Sequence, residues 1–232
     1  KQPEGRYVSS AKKLSNAEVG EVIKFGVDPT GPVGGSLLAN LIQNPSLMER
    51  VNQGREVGYI IIFVGLIGIA IAFWKLFTLY TMGVAVAKQA KSKTHDKSNP
   101  LGRVLAVGEE HMGKDIETLE LRLAEAIMAE RPAIERGIPV VKIISVVAPL
   151  AGLLGTVTGM IVTFQQITLF GTGDPKIMAG GISQALVTTV LGLVVAIPTT
   201  LLHSFANSSA RGIINVLEEQ STGIVAEHSD SK

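Results

Sequence analysis

The sequence lacks cysteine altogether and is poor in charged and aromatic residues. The absence of cysteine excludes disulfide bonds, thiolate metal sites and cysteine nucleophiles, and it leaves the redox compartment undecided. Charged residues make up 18% and aromatic residues 5% of the 232 residues, whereas a soluble domain carries about 25% charged residues. The formal net charge is only +1, so the clustered basic excess typical of a nucleic-acid-binding protein is missing.

Motifs of enzymes and of metal sites are missing as well. The four histidines, at positions 95, 111, 203 and 228, do not have the spacing of metal ligands. The sequence contains no P-loop, no glycine-rich dinucleotide fingerprint and no Ser-His-Asp signature. We therefore predict a protein that is not an enzyme and has neither a metal site nor a cofactor.

What the sequence has in excess is long apolar runs. Uncharged runs cover residues 58–74 (GYIIIFVGLIGIAIAFW), 143–164 (IISVVAPLAGLLGTVTGMIVTF) and 177–202 (IMAGGISQALVTTVLGLVVAIPTTLL). A membrane-spanning helix needs about 20 mainly apolar residues, and each run reaches or approaches that length. The predicted fold class is therefore an all-α membrane protein with three transmembrane helices, over 58–80, 138–167 and 177–206, and with long cytoplasmic helical extensions. Lys75, near the end of the first span, is expected to snorkel toward the interface.

Basic residues beside the first span indicate its orientation. Arg50 and Arg55 precede the span, and four lysines follow it between positions 88 and 97. Because basic residues favour the cytoplasmic side, we expect the N-terminus in the periplasm and the C-terminus in the cytoplasm. The expected segments are a periplasmic arm with short helices over 1–57, a cytoplasmic helical segment over 81–137, a periplasmic turn over 168–176 and a cytoplasmic tail over 207–232.

Two extramembrane segments have local signals of their own. Residues 1–35 are polar and interrupted by Asp-Pro-Thr-Gly-Pro and Gly-Gly, which predicts a loop, and Ser36 is expected to cap a short helix over 37–43. Residues 115–131 (DIETLELRLAEAIMAER) place apolar side chains at helical spacing and predict an amphipathic helix that needs a partner. Because the sequence begins with Lys1, we expect it to start inside a longer or processed chain.

Small and hydroxyl-bearing residues recur every three or four positions along the second and third runs. On the second run these residues are Ser145, Pro149, Gly152, Thr156, Gly159 and Thr163. On the third run they are Ala185, Thr189, Gly192, Ala196, Thr199 and His203, with Gln184 and Thr188 beside them. The stripes are either close-packing faces or the lining of a shared, partly wet cavity, because an unsatisfied hydroxyl or amide costs free energy in hydrocarbon. Spacing alone favours packing, in which small residues bring helices together; the candidate packing residues are Gly152, Gly155, Gly159 and Gly192.

Neither Asp nor Glu occurs in the three apolar runs. Proton pumps and transporters usually relay protons through carboxylates or histidines inside the membrane. If this chain belongs to a proton path, another chain must therefore supply the titrating group.

The two late runs resemble the paired signature of the MotA/TolQ/ExbB proton-channel family. The resemblance is carried by PLAGLLGTVTGMIVTF (149–164) and GGISQALVTTVLGLVVAIP (180–198), and the segment from residue 28 into the first span is similar to long-form ExbB proteins, also called TtpC. It implies a bacterial inner-membrane subunit that forms a homopentamer around a dimer of ExbD. That complex would use the proton gradient to energise a TonB-type protein, which drives import of iron complexes.

Several site residues follow from this resemblance. The family's threonines in the second and third spans fall on Thr156 and Thr189, while Gln184 stands where short-form relatives often have glutamate. This departure moves proton relay to the aspartate of the partner. The resemblance also favours the wet-cavity interpretation over packing. The residues expected to line the pore or face the partner are then Ser145, Thr156, Thr163, Gln184, Thr188, Thr189 and Thr199.

Two alternatives remain open. The chain could be a TolQ- or MotA-like motor subunit for envelope maintenance or motility, although the short segment between the first two spans argues against MotA. It could also be a passive scaffold, whose stripes only pack and move no ions.

Overall fold

The computed structural model describes residues 5–18, 20–24, 47–92, 96–171 and 175–230, and all regular structure in these ranges is helical. The helices are α1 (Gly5–Ser15), α2 (Leu47–Gln53), α3 (Arg55–Gln89), α4 (Pro100–His111), α5 (Ile116–Glu135), α6 (Ile138–Phe170) and α7 (Pro175–Asp230). The predicted all-α fold class is confirmed. By its internal packing, the chain divides into two compact units, residues 1–50 and 51–232.

In the first unit, α1 occupies part of the stretch predicted to be a loop, so that prediction is wrong for Gly5–Ser15. After its first residue, the helix sequence GRYVSSAKKLS has neither glycine nor proline, and it contains the good helix formers Ala, Lys and Leu. These local preferences outweigh the general polarity of the segment. The predicted helix over 37–43 and the rest of the loop at 25–35 lie outside the described residues.

Three helices of the second unit are long and apolar enough to cross a membrane, namely α3, α6 and the part of α7 over Met178–Ser229. They contain the three predicted spans, which supports a membrane protein. The predicted turn over 168–176 begins too early. Helix α6 continues to Phe170, so the start of the predicted turn over 168–176 is helical, while residues 172–174 lie outside the described ranges.

Helix α7 has no break at residues 206–207, where the predicted third span gives way to the predicted tail. The reason is that a buried stripe at helical spacing continues beyond that point, through Ala206, Ala210, Ile213 and Leu217. One helix therefore carries both the third span and the C-terminal segment.

The first span packs against the other two through a face of glycines. A Cβ atom added to Gly65 would lie 2.5 Å from the Val195 side chain, and one added to Gly68 would lie 2.9 Å from that of Ile144. Glycine thus allows the backbone of α3 to approach α6 and α7 closely. Large apolar side chains are exposed elsewhere on the span, including Phe63, Leu66, Phe73, Trp74 and Phe77.

Beyond the spans, α4 and α5 pack against the ends of α3 and α7 around one apolar core. Asp115 caps α5, accepting a hydrogen bond of 2.9 Å from the amide of Thr118. The predicted helix over 115–131 is therefore confirmed, and its apolar stripe is buried. Members of the core include Leu79, Val86, Leu101, Val104, Leu119, Leu123, Ile134 and Leu217.

Buried amide side chains hold the turn between α3 and α4. The side chain of Asn99 caps α4 by accepting from the Gly102 amide at 2.8 Å, and its Nδ2 donates to Oε1 of Gln89 at 3.2 Å. The carboxylate of Asp96 accepts hydrogen bonds from the Ser98 amide at 2.9 Å and from the Ser98 hydroxyl at 2.8 Å. Because these bonds favour the charged form, they lower the pKa of Asp96 from its ordinary value of 3.8.

Lys75 does not snorkel to the interface as predicted. Only 4% of this residue is exposed, and its Nζ donates a hydrogen bond of 3.1 Å to the backbone oxygen of Ala133. The last turn of α5 reaches the first span and supplies this internal acceptor.

Candidate functional site

The contact between α6 and α7 is built on glycines at closely spaced helical positions. A Cβ atom added to Gly152 would lie 2.9 Å from the backbone oxygen of Thr188, and one added to Gly192 would lie 2.7 Å from that of Ala148. Gly155 faces the side chain of Thr188 in the same way. Any larger residue would push the helices apart, so the small residues let the two backbones meet. The four candidate packing residues, Gly152, Gly155, Gly159 and Gly192, are all buried at this contact.

Thr156 on α6 and Thr189 on α7 meet at this contact, and their hydroxyl groups form a hydrogen bond with one another. The Thr156 hydroxyl also lies 3.2 Å from the backbone oxygens of both Gly152 and Ala185. Both threonines are partly exposed. The pair therefore lies at the edge of the helix contact, where a group from outside the chain can reach it.

The other predicted pore-lining residues lie deeper. Thr188 and Thr199 have no exposed surface, and Thr163 is 3% exposed. Their hydroxyls donate to carbonyl oxygens of their own helices, from Thr188 to Ala185 at 2.9 Å, from Thr199 to Val195 at 2.8 Å and from Thr163 to Gly159 at 3.0 Å. Such bonds satisfy hydroxyl groups inside an apolar helix bundle.

Ser145 and Gln184 are also buried, with 8% and 9% of each residue exposed. The Ser145 hydroxyl donates to the Lys142 carbonyl at 2.8 Å. Of the seven residues predicted to line a pore, the structure thus leaves only Thr156 and Thr189 partly exposed. The pore-lining role itself stays a prediction. Of the seven residues, Thr156 and Thr189 are the best placed for it, because they are partly exposed.

The chemistry at the threonine pair is that of neutral donors and acceptors. Each hydroxyl can donate one hydrogen bond and accept others, so the pair can hold water or bind a carboxyl group without carrying charge. Among the described residues no group of His, Asp and Glu is arranged to hold a metal ion. Neither Asp nor Glu occurs in the three apolar runs, so the pair has no carboxylate beside it within these runs.

Sequence reasoning missed the glycine face of the first span. Gly58, Gly65, Gly68 and Ala72 are buried on one side of α3, and their spacing of seven, three and four was a signal in the sequence. It also missed a contact near the start of α7, where the Ser183 hydroxyl donates to Oε1 of Gln53 at 2.9 Å. No motif marked that pair.

A known protein family matches the part of the chain that contains the threonine pair. The model of the MotA/TolQ/ExbB proton channel family matches residues 96–219, which is more than half of the chain and includes both threonines. This chain belongs to the MotA/TolQ/ExbB proton channel family. The matched range runs from the turn before α4 through α6 and into the C-terminal part of α7.

Several relatives that resemble this chain are named for ExbB. An ExbB homolog from Methanothermobacter thermautotrophicus is 26% identical over 189 residues, covering 75% of this chain and 67% of the relative. An ExbB-like protein from Synechocystis is 29% identical over 175 residues, covering 68% of this chain and 69% of the relative. The biopolymer transport protein ExbB from Aquifex aeolicus is 48% identical over 58 residues, which are 25% of this chain and 39% of that protein.

Proposed function

We propose that this chain is the ExbB-like subunit of a proton-driven complex in the bacterial inner membrane. In this proposal it works with an ExbD-like partner to couple the proton motive force to a TonB-type protein, and so to import of iron complexes. The observation that carries the proposal is the Thr156–Thr189 hydroxyl pair, which lies partly exposed between two spans that contain no carboxylate.

The pair suits a partner that brings its own carboxyl group. If Thr189 donates to Thr156 and Thr156 donates to a backbone carbonyl, both hydroxyl oxygens keep lone pairs that accept from a protonated acid. If a hydroxyl rotates, its O–H donates instead to the ionised carboxylate. The same two side chains therefore bind both protonation states, which a site that passes protons along a partner requires.

The surface of the spans is consistent with assembly around such a partner. Large apolar side chains of α6 and α7 are exposed in the single chain, including Leu150, Leu153, Val157, Leu186, Val190 and Leu193. In a membrane this surface contacts lipid or further copies of the chain. We infer a homopentamer around an ExbD-like dimer, with the end formed by α4 and α5 in the cytoplasm, as the lysines after the first span favour.

A passive scaffold is the second candidate, and one observation favours it. The hydroxyls of Thr163, Thr188 and Thr199 already have backbone acceptors within their own helices. If the hydroxyls of Thr156 and Thr189 also bond only within the chain and no partner binds there, the stripes of small residues serve helix packing alone. TolQ- or MotA-like activity is a weaker alternative, because the relatives described above are named for ExbB.

The proposal is tested by complementation in the source organism. We delete the gene and measure energy-dependent uptake of an iron complex, motility and detergent resistance, with and without the restored gene. Loss and recovery of uptake alone is the expected result. A defect in motility or in the envelope would instead assign the chain to the MotA or TolQ branch, and no defect in any of the three would favour the scaffold.

A further inference from the structure

The ammonium group of Lys75 lies inside the protein and not in solvent. Lys75 is the one charged side chain among the buried residues of α3, and its Nζ donates to the carbonyl oxygen of Ala133 at 3.1 Å. It forms no ion pair with a carboxylate in the described part of the chain. Burial of an unpaired charge is costly, so the position calls for an explanation.

The acceptor explains how the charge is tolerated. Ala133 belongs to the last turn of α5, which ends at Glu135, and the last four carbonyls of a helix have no amide partner within it. These carbonyls also carry the negative end of the helix dipole, which stabilises a cation. Arg136 brings like charge to the same region, so the helix end, and not an ion pair, holds Lys75.

Neighbouring residues of α3 contact the same corner of the chain. The chain turns from α5 to α6 at Gly137, whose φ of 87° is left-handed and suits glycine. A Cβ atom added there would lie 3.7 Å from Ile71, one turn before Lys75. Leu79, one turn after Lys75, shares the apolar core with Ile134 and Ile138. One face of α3 therefore contacts the end of α5, the turn and the start of α6.

We propose that Lys75 is a positioning residue, which fixes the corner between α5 and α6 against the first span. Its hydrogen bond ties the last turn of α5, and with it the start of α6, to the first span. Helix α6 then carries Thr156, so the bond holds the threonine pair in place relative to the first span. The consequence for transport rests on the function proposed above, whereas the structural role does not.

The unmodified protein offers the first test, which needs no variant. We label the full complex in membranes with a membrane-permeant amine-acylating reagent and follow individual lysines by mass spectrometry. Lys88 is the matched control, because it lies on the same helix and is exposed. Lys75 is expected to react at least about tenfold more slowly than Lys88, because it reacts only when the corner opens. Equal rates would overturn the proposal.

The second test removes the bond. We compare Lys75→Met, Lys75→Arg and the control Lys88→Met by hydrogen exchange of the backbone amides at 136–138 and 140–141. Exchange is expected to rise about tenfold in Lys75→Met, to stay unchanged in Lys88→Met and to return toward the original rate in Lys75→Arg. Unchanged exchange in Lys75→Met would overturn the positioning role.

Transport measurements separate this inference from the proposed function. Proton-driven uptake is expected to fall in Lys75→Met and to be largely restored in Lys75→Arg. Full uptake in Lys75→Met despite faster exchange would overturn the claim that the corner positions the threonine pair. If the unmodified chain supports no uptake, the proposed function fails, while the labelling and exchange results still decide the role of Lys75.

Discussion

Thr156 and Thr189 show what the sequence could and could not predict about individual side chains. The three- to four-residue spacing identified both threonines, but it identified Thr188 and Thr199 equally well. The structure separates them, since Thr188 has no exposed surface while its neighbour Thr189 is partly exposed. Adjacent helix positions point about 100° apart, and only the partner helix decides which of them faces inward. Spacing within one helix does not contain that information.

Gln184 gives a prediction at the same scale. Its amide cannot titrate, but it can hydrogen-bond to a carboxylate or to water. Gln184→Glu is expected to remain active with its pH dependence shifted to higher pH, because two carboxylates in a low-dielectric site raise the pKa of one of them. Gln184→Leu is expected to lower uptake severalfold without abolishing it. The measurement is energy-dependent uptake against pH for the three proteins, and complete loss in an assembled Leu variant would contradict a tuning role.

Among the elements, the spans were predictable and their contacts only partly so. Run length alone identified all three, because a run of about 20 mainly apolar residues is long enough to cross a bilayer as a helix. The candidate packing residues Gly152, Gly155 and Gly159 also marked the face of α6 that meets α7. The glycine face of α3 went unnoticed, because no polar residue marks it among the surrounding isoleucines. Helix α7 continues past the third apolar run because its buried stripe does so too.

Glycine packing predicts a contrast between two alanine substitutions. Gly152→Ala places a Cβ atom 2.9 Å from a backbone oxygen of α7, whereas Gly83→Ala on α3 meets nothing within 4 Å. We expect Gly152→Ala to lower the free energy of unfolding by about 1–3 kcal/mol through overpacking. Gly83→Ala should be neutral or stabilising by up to about 1 kcal/mol, from helix propensity. Denaturant unfolding in detergent measures both, and equal effects would contradict the close contact.

The turn between α3 and α4 predicts a dependence on acid. Because the folded pKa of Asp96 lies below its ordinary value of 3.8, its contribution to the folded turn is fully present above that value. It is lost as pH falls through the lowered folded pKa. The protection of the Ser98 amide against hydrogen exchange, measured relative to its intrinsic rate at each pH, should therefore fall in acid. Asp96→Asn is the control, since it cannot titrate, and an identical acid response in this variant would assign the effect to another group.

For the whole molecule, the sequence predicted an all-helical membrane protein, and the family match agrees with the resemblance carried by the second and third spans. It did not predict that the C-terminal half of α7 completes the core with α4 and α5, because that core joins residues far apart in the chain. The spans and this core share the two long helices α3 and α7.

The central claim is that the threonine pair serves a proton path completed by a partner's carboxylate. The most direct measurement is proton flux into vesicles that contain this chain with its partner, followed with an internal pH-sensitive dye.

The test variant carries Thr156→Val and Thr189→Val, which keep the shape of the side chains but remove both hydroxyls. The control is Thr200→Val, because in the described part of the chain that hydroxyl donates only to the Ala196 carbonyl of its own helix, at 2.7 Å. Loss of one hydrogen bond to a charged group costs about 1.5–3 kcal/mol, so the double variant should lower flux at least about tenfold in an intact complex. The control should match the unmodified protein. Undiminished flux in the double variant would contradict the account.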